Sequence, residues 1–119
     1  MNLALALSII WAGIIFGASA IPGSNLPEIG TSDTVAHFLV YFIFGILLMW
    51  WRIKQLKGVL GASMLQAVIL GSVYGITDEF HQYFVPGRTP DPSDWIADTV
   101  GVLAGAIVIT FGYLIVNRK

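Results

Sequence analysis

The 119-residue chain contains no cysteine. Disulfides, thiolate metal sites and cysteine nucleophiles are therefore excluded. Charge is scarce as well: Asp, Glu, Lys and Arg make up 11% of the residues, against 56% apolar ones, where soluble domains carry about 25% charge. A mean hydropathy of +0.80 leaves too little polar surface for a small soluble helical domain, and the charges lie between apolar runs instead of recurring at helical spacing within them. No phosphate-cradling glycine loop, H-E-x-x-H or G-x-S-x-G occurs, which removes the common nucleotide, zinc-protease and serine-hydrolase signatures. Basic residues are too few for an outward-facing nucleic-acid surface.

What is present is a set of long apolar runs. Leu3 to Ile21 carries no charge and is long enough to cross a hydrocarbon core of about 30 Å at about 1.5 Å per residue, with Pro22 stopping the helix. Ala18-Ser19-Ala20 resembles a signal-peptidase site, but no Lys or Arg forms a basic leader before the run, so the run reads as a first span. Pro22 to Thr34 has loop composition, with Thr31, Ser32 and Asp33 available as N-caps. A second span follows from about Val35 to Trp51, ending in paired tryptophans that suit a membrane boundary. A third begins at Gly58 and can continue to about Phe84, because no proline intervenes before Pro86. Asp91-Pro92-Ser93-Asp94 is a helix start, with a capping acid, proline at the first helical position and an acid facing the helix dipole; the fourth span runs to about Val116. The expected fold is all-α: a single domain over residues 1–119, forming a bundle of four transmembrane helices.

Arg52, Lys54, Lys57, Arg118 and Lys119 all fall at one end of this arrangement and Arg88 alone at the other. The positive-inside rule then puts both termini in the cytoplasm, and all seven acids (Glu28, Asp33, Asp78, Glu79, Asp91, Asp94 and Asp98) near the outer surface.

The concentration of chemistry lies between Asp78 and Asp98, a stretch holding five of those seven acids. On the third helix Gly71, Gly75, Asp78 and Gln82 share a stripe; on the fourth, Asp94, Asp98, Gly101 and Gly105 do. Both stripes contain the G-x-x-x-G spacing that lets helices approach closely in lipid. A glycine-to-glycine contact would set Asp78 and Asp98 side by side at one depth. Acids inside spanning helices need partners or water, and Arg88 is the expected counter-ion. On the second helix Asp33, His37 and Tyr41 follow at four-residue steps and share a face. The candidate cluster is Asp78, Glu79, His81, Gln82, Arg88, Asp94 and Asp98, joined by His37. Several of these have plainer readings: Asp91 and Asp94 as caps, His81 as a solvated interfacial residue, and Asp78, Glu79, Arg88 and Asp98 as an ion-pair network fixing helix ends. No cofactor is expected, although histidines among carboxylates could bind a divalent cation or run acid–base chemistry; the spacing singles out neither.

The pattern Asp78-Glu79, Gln82, Pro86-Gly87-Arg88, Asp94, Asp98 and Gly101/Gly105, with Ser19, Pro22, His37-Phe38 and Tyr41 before it, resembles the VanZ-like family of small bacterial membrane proteins. The resemblance implies a multi-pass protein of the cytoplasmic membrane, linked through the family's namesake to low-level resistance against the glycopeptide teicoplanin. It implies a functional site at the motif residues Asp78, Glu79, Gln82, Arg88, Asp94 and Asp98, and no settled reaction. The partners expected are the bilayer and a lipid-linked envelope molecule; a homo-oligomer is compatible with so small a core. Three activities fit: an envelope-binding or accessory protein, an enzyme acting on a lipid or wall precursor, and a small transporter or ion-pathway subunit. The lower halves of the spans hold little polar beyond Ser63, Gln66 and Ser72, which ranks transport last.

Overall fold

Why each apolar run becomes a helix is visible at its ends. In the computed structural model, which describes residues 2–22 and 33–118 with the side chain of Asp33 excepted, four helices follow one another: α1 Leu3–Ser19, α2 Asp33–Gln55, α3 Leu60–Gln82 and α4 Pro92–Asn117. The expected caps Thr31 and Ser32, the Asp33 side chain, and Glu28 and Lys119 lie outside the described residues. Asn2 caps α1, its side chain accepting from the Leu5 N–H at 2.7 Å and satisfying one of the free amides of the first turn. Asp91 caps α4 as the sequence leads one to expect: its carboxylate accepts from the Ser93 N–H at 2.9 Å, with Pro92 next. The Ser93 backbone N–H and hydroxyl hold the Asp91 carboxyl below the usual carboxylate range.

Helices α2, α3 and α4 are long and apolar enough to cross a membrane. Helix α1, at 17 residues and about 25 Å, is shorter than the span expected to reach Ile21. It ends at Ser19, because the residue before Pro22 is pushed out of the α region. The outward faces carry Ile9, Ile14, Leu65, Ile69, Val73, Phe111 and Ile115, all half exposed or more, a surface that water would not tolerate and lipid does. This is a membrane protein.

The core is thin and built on α2. Tyr41, Phe44, Leu48, Met49 and Ile53 project from it onto Ala67 of α3, Val102 and Ala106 of α4 and Ile15 of α1. The closest approach is between α2 and α4. A Cβ on Gly101 would lie 2.5 Å from the Phe38 carbonyl, one on Gly105 would collide with the Phe42 carbonyl, and one on Gly45 with that of Val102. Glycine on both helices therefore lets the two backbones touch, the small-residue packing of membrane bundles.

The expected glycine-to-glycine contact between α3 and α4 does not form. Gly71 receives the side chain of Val102 and Gly75 that of Asp98, three positions from the register that would oppose Gly71 to Gly105. The reason is a division of labour: the α4 glycines are consumed by α2, leaving α4's adjoining side chains to fill the α3 notches. Trp95 fixes this register, donating from Nε1 to the Ser72 carbonyl at 3.0 Å, and the Ser72 and Thr99 hydroxyls meet at 2.9 Å.

Helix α1 packs on α2 and α3 and not on α4. Trp11 donates to the Val40 carbonyl at 3.0 Å, and the Tyr74 hydroxyl donates to the Ala12 carbonyl. At one end of the bundle lie the start of α2, the end of α3 and the start of α4. At the other lie Arg52 and Lys54, stacked over Trp51 and Trp50, together with Lys57 and Arg118.

Candidate functional site

Three helix ends deliver the site. The start of α2 brings His37 and, one turn on, Tyr41; the last turns of α3 bring Asp78, Glu79 and Gln82; the first two turns of α4 bring Asp94 and Asp98. All five of these acids and amides on α3 and α4 are buried, Asp98 completely so (0% exposed). Burial of this kind is expensive without partners.

His37 supplies the principal partner. Its Nδ1 lies 2.7 Å from Asp98 Oδ1 and its Nε2 lies 3.7 Å from Asp94 Oδ2. Tyr41 donates its hydroxyl to Asp78 Oδ2 at 3.3 Å. Two residues one turn apart on α2 thus each engage a different helix: His37 reaches α4, Tyr41 reaches α3. Glu79 Oε2 accepts the backbone N–H of Asp91 at 3.2 Å, tying the end of α3 to the cap of α4. Asp98, seated in the notch at Gly75, lies about one turn deeper than Asp78 and Glu79, not at the common depth that a glycine-on-glycine register would impose.

This network leaves a remainder. Among the described residues, Asp78 Oδ1, Glu79 Oε1 and Asp98 Oδ2 are buried with no hydrogen-bond partner in the protein. One ligand atom each from His37, Glu79 and Asp98 lie within 4.8 Å of one another. Glu79 also faces outward, onto an open groove of about 290 Å³ lined by Ile76, Phe80, Tyr83, Pro92 and Trp95. Apart from Glu79 and Asp91 the groove is lined by apolar and aromatic residues of α3, α4 and the segment between them.

Arg88 and His81 sit elsewhere. The expected role of Arg88 as counter-ion to the acids is not what the structure contains: its guanidinium donates to the carbonyls of Ala18 (3.3 Å) and Ile21 (3.0 Å). The Ala18 carbonyl, which also accepts the Ile21 N–H at 3.2 Å, and the Ile21 carbonyl just past α1 lie where the helix dipole favours a cation. Gly87, at φ +75°, makes the turn that aims Arg88 there. The His81 ring stacks on Phe16 with centroids 4.3 Å apart, and its Nδ1 lies 3.2 Å from the Ser19 hydroxyl. Both residues fasten α1 to the bundle. Their segment is the same as that of the acids, but their face is the opposite one.

Tyr41 was not among the expected cluster residues, although its four-residue step from His37 put it on the right face. A buried tyrosine within an apolar span needs a partner for its hydroxyl, and that was the available signal. Ser72 and Trp95, which set the register beneath the cluster, gave no comparable sign.

A model of the VanZ/LLP1 family matches residues 4–115. The chain belongs to that family. No curated protein and no solved structure matches it. The matched residues of this VanZ/LLP1 chain include those of the α1 fastening by Arg88 and His81 and those of the His37-centred cluster.

Proposed function

We propose that this VanZ/LLP1 protein resides in the bacterial cytoplasmic membrane with both termini in the cytoplasm, and that its buried acidic cluster binds a cationic group of a lipid-linked envelope ligand. The observation that carries the reading is the set of partnerless carboxylate oxygens on Asp78, Glu79 and Asp98. Leaving such an acceptor buried costs about 1–3 kcal/mol, more if charged; a bound cationic or donor group removes that cost. The apolar groove at Glu79 suits the hydrocarbon part of the same ligand, entering sideways from the bilayer. Retention or masking of such a ligand at the outer leaflet is also the route by which the protein would contribute to teicoplanin resistance.

The test is native mass spectrometry of the protein released from membranes. A lipid-linked species enriched over the bulk lipid, and lost in Glu79→Gln and Asp98→Asn variants that remain monodisperse, is the expected result. A bound-lipid profile equal to that of the bulk membrane refutes the reading. In cells, the same variants are expected to remove any teicoplanin tolerance that the wild-type protein confers.

A second reading, an enzyme acting on a lipid or wall precursor, is favoured by the His37–Asp98 contact at 2.7 Å. A carboxylate that orients an imidazole is the arrangement general-base chemistry uses. Turnover of radiolabelled envelope lipids by purified protein, abolished by His37→Gln, separates it from simple binding. Transport has less support. Below the cluster, Ser63 and Thr110 spend their hydroxyls on their own helix carbonyls, Ser72 and Thr99 bond each other, and Met49, Ala67, Val102 and Ala106 close the centre.

A further inference from the structure

We propose that His37, Glu79 and Asp98 together hold a divalent transition-metal cation; this rests on the reading of the cluster as a binding site and makes the metal, in place of a cationic group of the ligand itself, the charge that satisfies the Glu79 and Asp98 oxygens. Three observations converge. One ligand atom from each residue lies within 4.8 Å of the other two, so bonds of about 2.0–2.2 Å to nitrogen and oxygen require side-chain adjustments of roughly half an ångström and no rearrangement of the bundle. Two of the three contribute a carboxylate oxygen that is buried and without a protein partner, Glu79 Oε1 and Asp98 Oδ2, although their residues are 9% and 0% exposed. No lysine or arginine among the described residues pairs with these carboxyls; the contacts to α4 come from the His37 ring, 2.7 Å from Asp98 and 3.7 Å from Asp94, and Arg88 is engaged at α1.

The donor set selects the metal class. Calcium and magnesium take oxygen ligands almost exclusively, whereas one imidazole with two carboxylates suits manganese, iron or zinc. Three protein ligands leave coordination positions open. Glu79, which lines the apolar groove, puts the open side toward lipid, where an anionic headgroup oxygen could complete the shell. Since His37 Nδ1 and Asp98 Oδ1 already lie 2.7 Å apart, the metal would take the place of the hydrogen they share, bound by Nδ1 on one side and by the Asp98 carboxylate on the other.

Protons are the competing account, since two carboxylic acids could each satisfy an oxygen with a hydrogen. Manganese(II) titrated into the purified protein in lipid nanodiscs, followed by electron paramagnetic resonance, decides between them. The expected result is one bound ion per chain, with nitrogen-14 modulation from the imidazole in pulsed spectra. His37→Gln should remove that modulation. Glu79→Gln should weaken binding by at least about tenfold while keeping the modulation. Thr110→Ala, whose hydroxyl serves only the Ala106 carbonyl of its own helix, should bind as wild type. Absence of bound manganese or zinc at millimolar concentration, together with infrared carboxylic-acid bands that disappear in Asp98→Asn, overturns the proposal. If the enriched lipid still co-purifies in that case, the binding site stands and the metal alone is refuted. If the metal binds and no lipid is enriched, the reverse holds.

Discussion

Replacing Gly101 with alanine offers the sharpest check on how the bundle holds its site. The added Cβ would lie 2.5 Å from the Phe38 carbonyl oxygen and 3.0 Å from the Phe42 nitrogen, where side-chain carbons do not come closer than 3.0 Å and rarely closer than 3.4 Å. Both obstacles are backbone, so no rotamer change relieves them, and α2 must move away from α4 by about 0.5–0.9 Å. His37 adjoins Phe38, and Asp98 is one turn from Gly101. An opening of that size carries their 2.7 Å contact to the edge of hydrogen-bonding range or past it. Overpacking of this kind costs about 1–3 kcal/mol. Gly13 is the control: nothing lies within 4 Å of its added Cβ, so alanine there should be neutral or stabilising by up to about 1 kcal/mol through helix propensity. Thermal unfolding in a mild detergent measures the stability change, and nitrogen-15 spectra of the His37 ring report the contact. A Gly101→Ala protein that unfolds with wild-type stability and keeps wild-type His37 resonances would refute both the close α2–α4 contact and its control of the cluster.

Other expectations concern single contacts. Tyr41→Phe removes the donor to Asp78 Oδ2 and leaves a second buried acceptor unpaired; a loss of about 1–3 kcal/mol is expected in the same unfolding assay. Arg88→Ala removes the guanidinium that ties the Ala18 and Ile21 carbonyls to the bundle, so hydrogen exchange should rise at the end of α1 while the His37 resonances stay in place. Asp91 has a carboxyl pKa lowered by Ser93. Its capping contribution is complete above the ordinary carboxylate value of about 3.9 and is lost as pH falls through the lower folded value. Exchange of the first-turn amides of α4, corrected for the intrinsic pH dependence, should therefore be flat from pH 7 to pH 5 and rise only in stronger acid.

Much of this architecture can be read from residue order, because the features involved are local. Uncharged runs, the Asp91-Pro92 start and the placement of acids at the same end of successive antiparallel helices depend on neighbours in sequence. The contacts of Arg88 are different. Its acceptors are main-chain carbonyls some seventy residues away, and every residue has a carbonyl, so no side-chain pattern marks the partner; a lone arginine among acids invites the wrong pairing. The α3–α4 register was hidden for a related reason. Gly71, Gly75, Gly101 and Gly105 are compatible with glycine meeting glycine or with side chains filling notches, and the choice was made by Gly45 and α2 claiming the α4 glycines. Tyr41 passes for an ordinary aromatic in a greasy run until the depth of Asp78 is known.

The separation of charged groups along the bundle has an electrical consequence. Arg52, Lys54, Lys57 and Arg118 occupy one end and the carboxyl-rich cluster the other, so the molecule is polarised along the membrane normal. Moving a unit charge through a potential of 100 mV is worth about 2.3 kcal/mol. In the orientation proposed above, with the basic end inside a cell whose interior is negative, inversion of the whole chain would carry several cations up that gradient at once, and the resting voltage itself would be a force that keeps the protein the right way round.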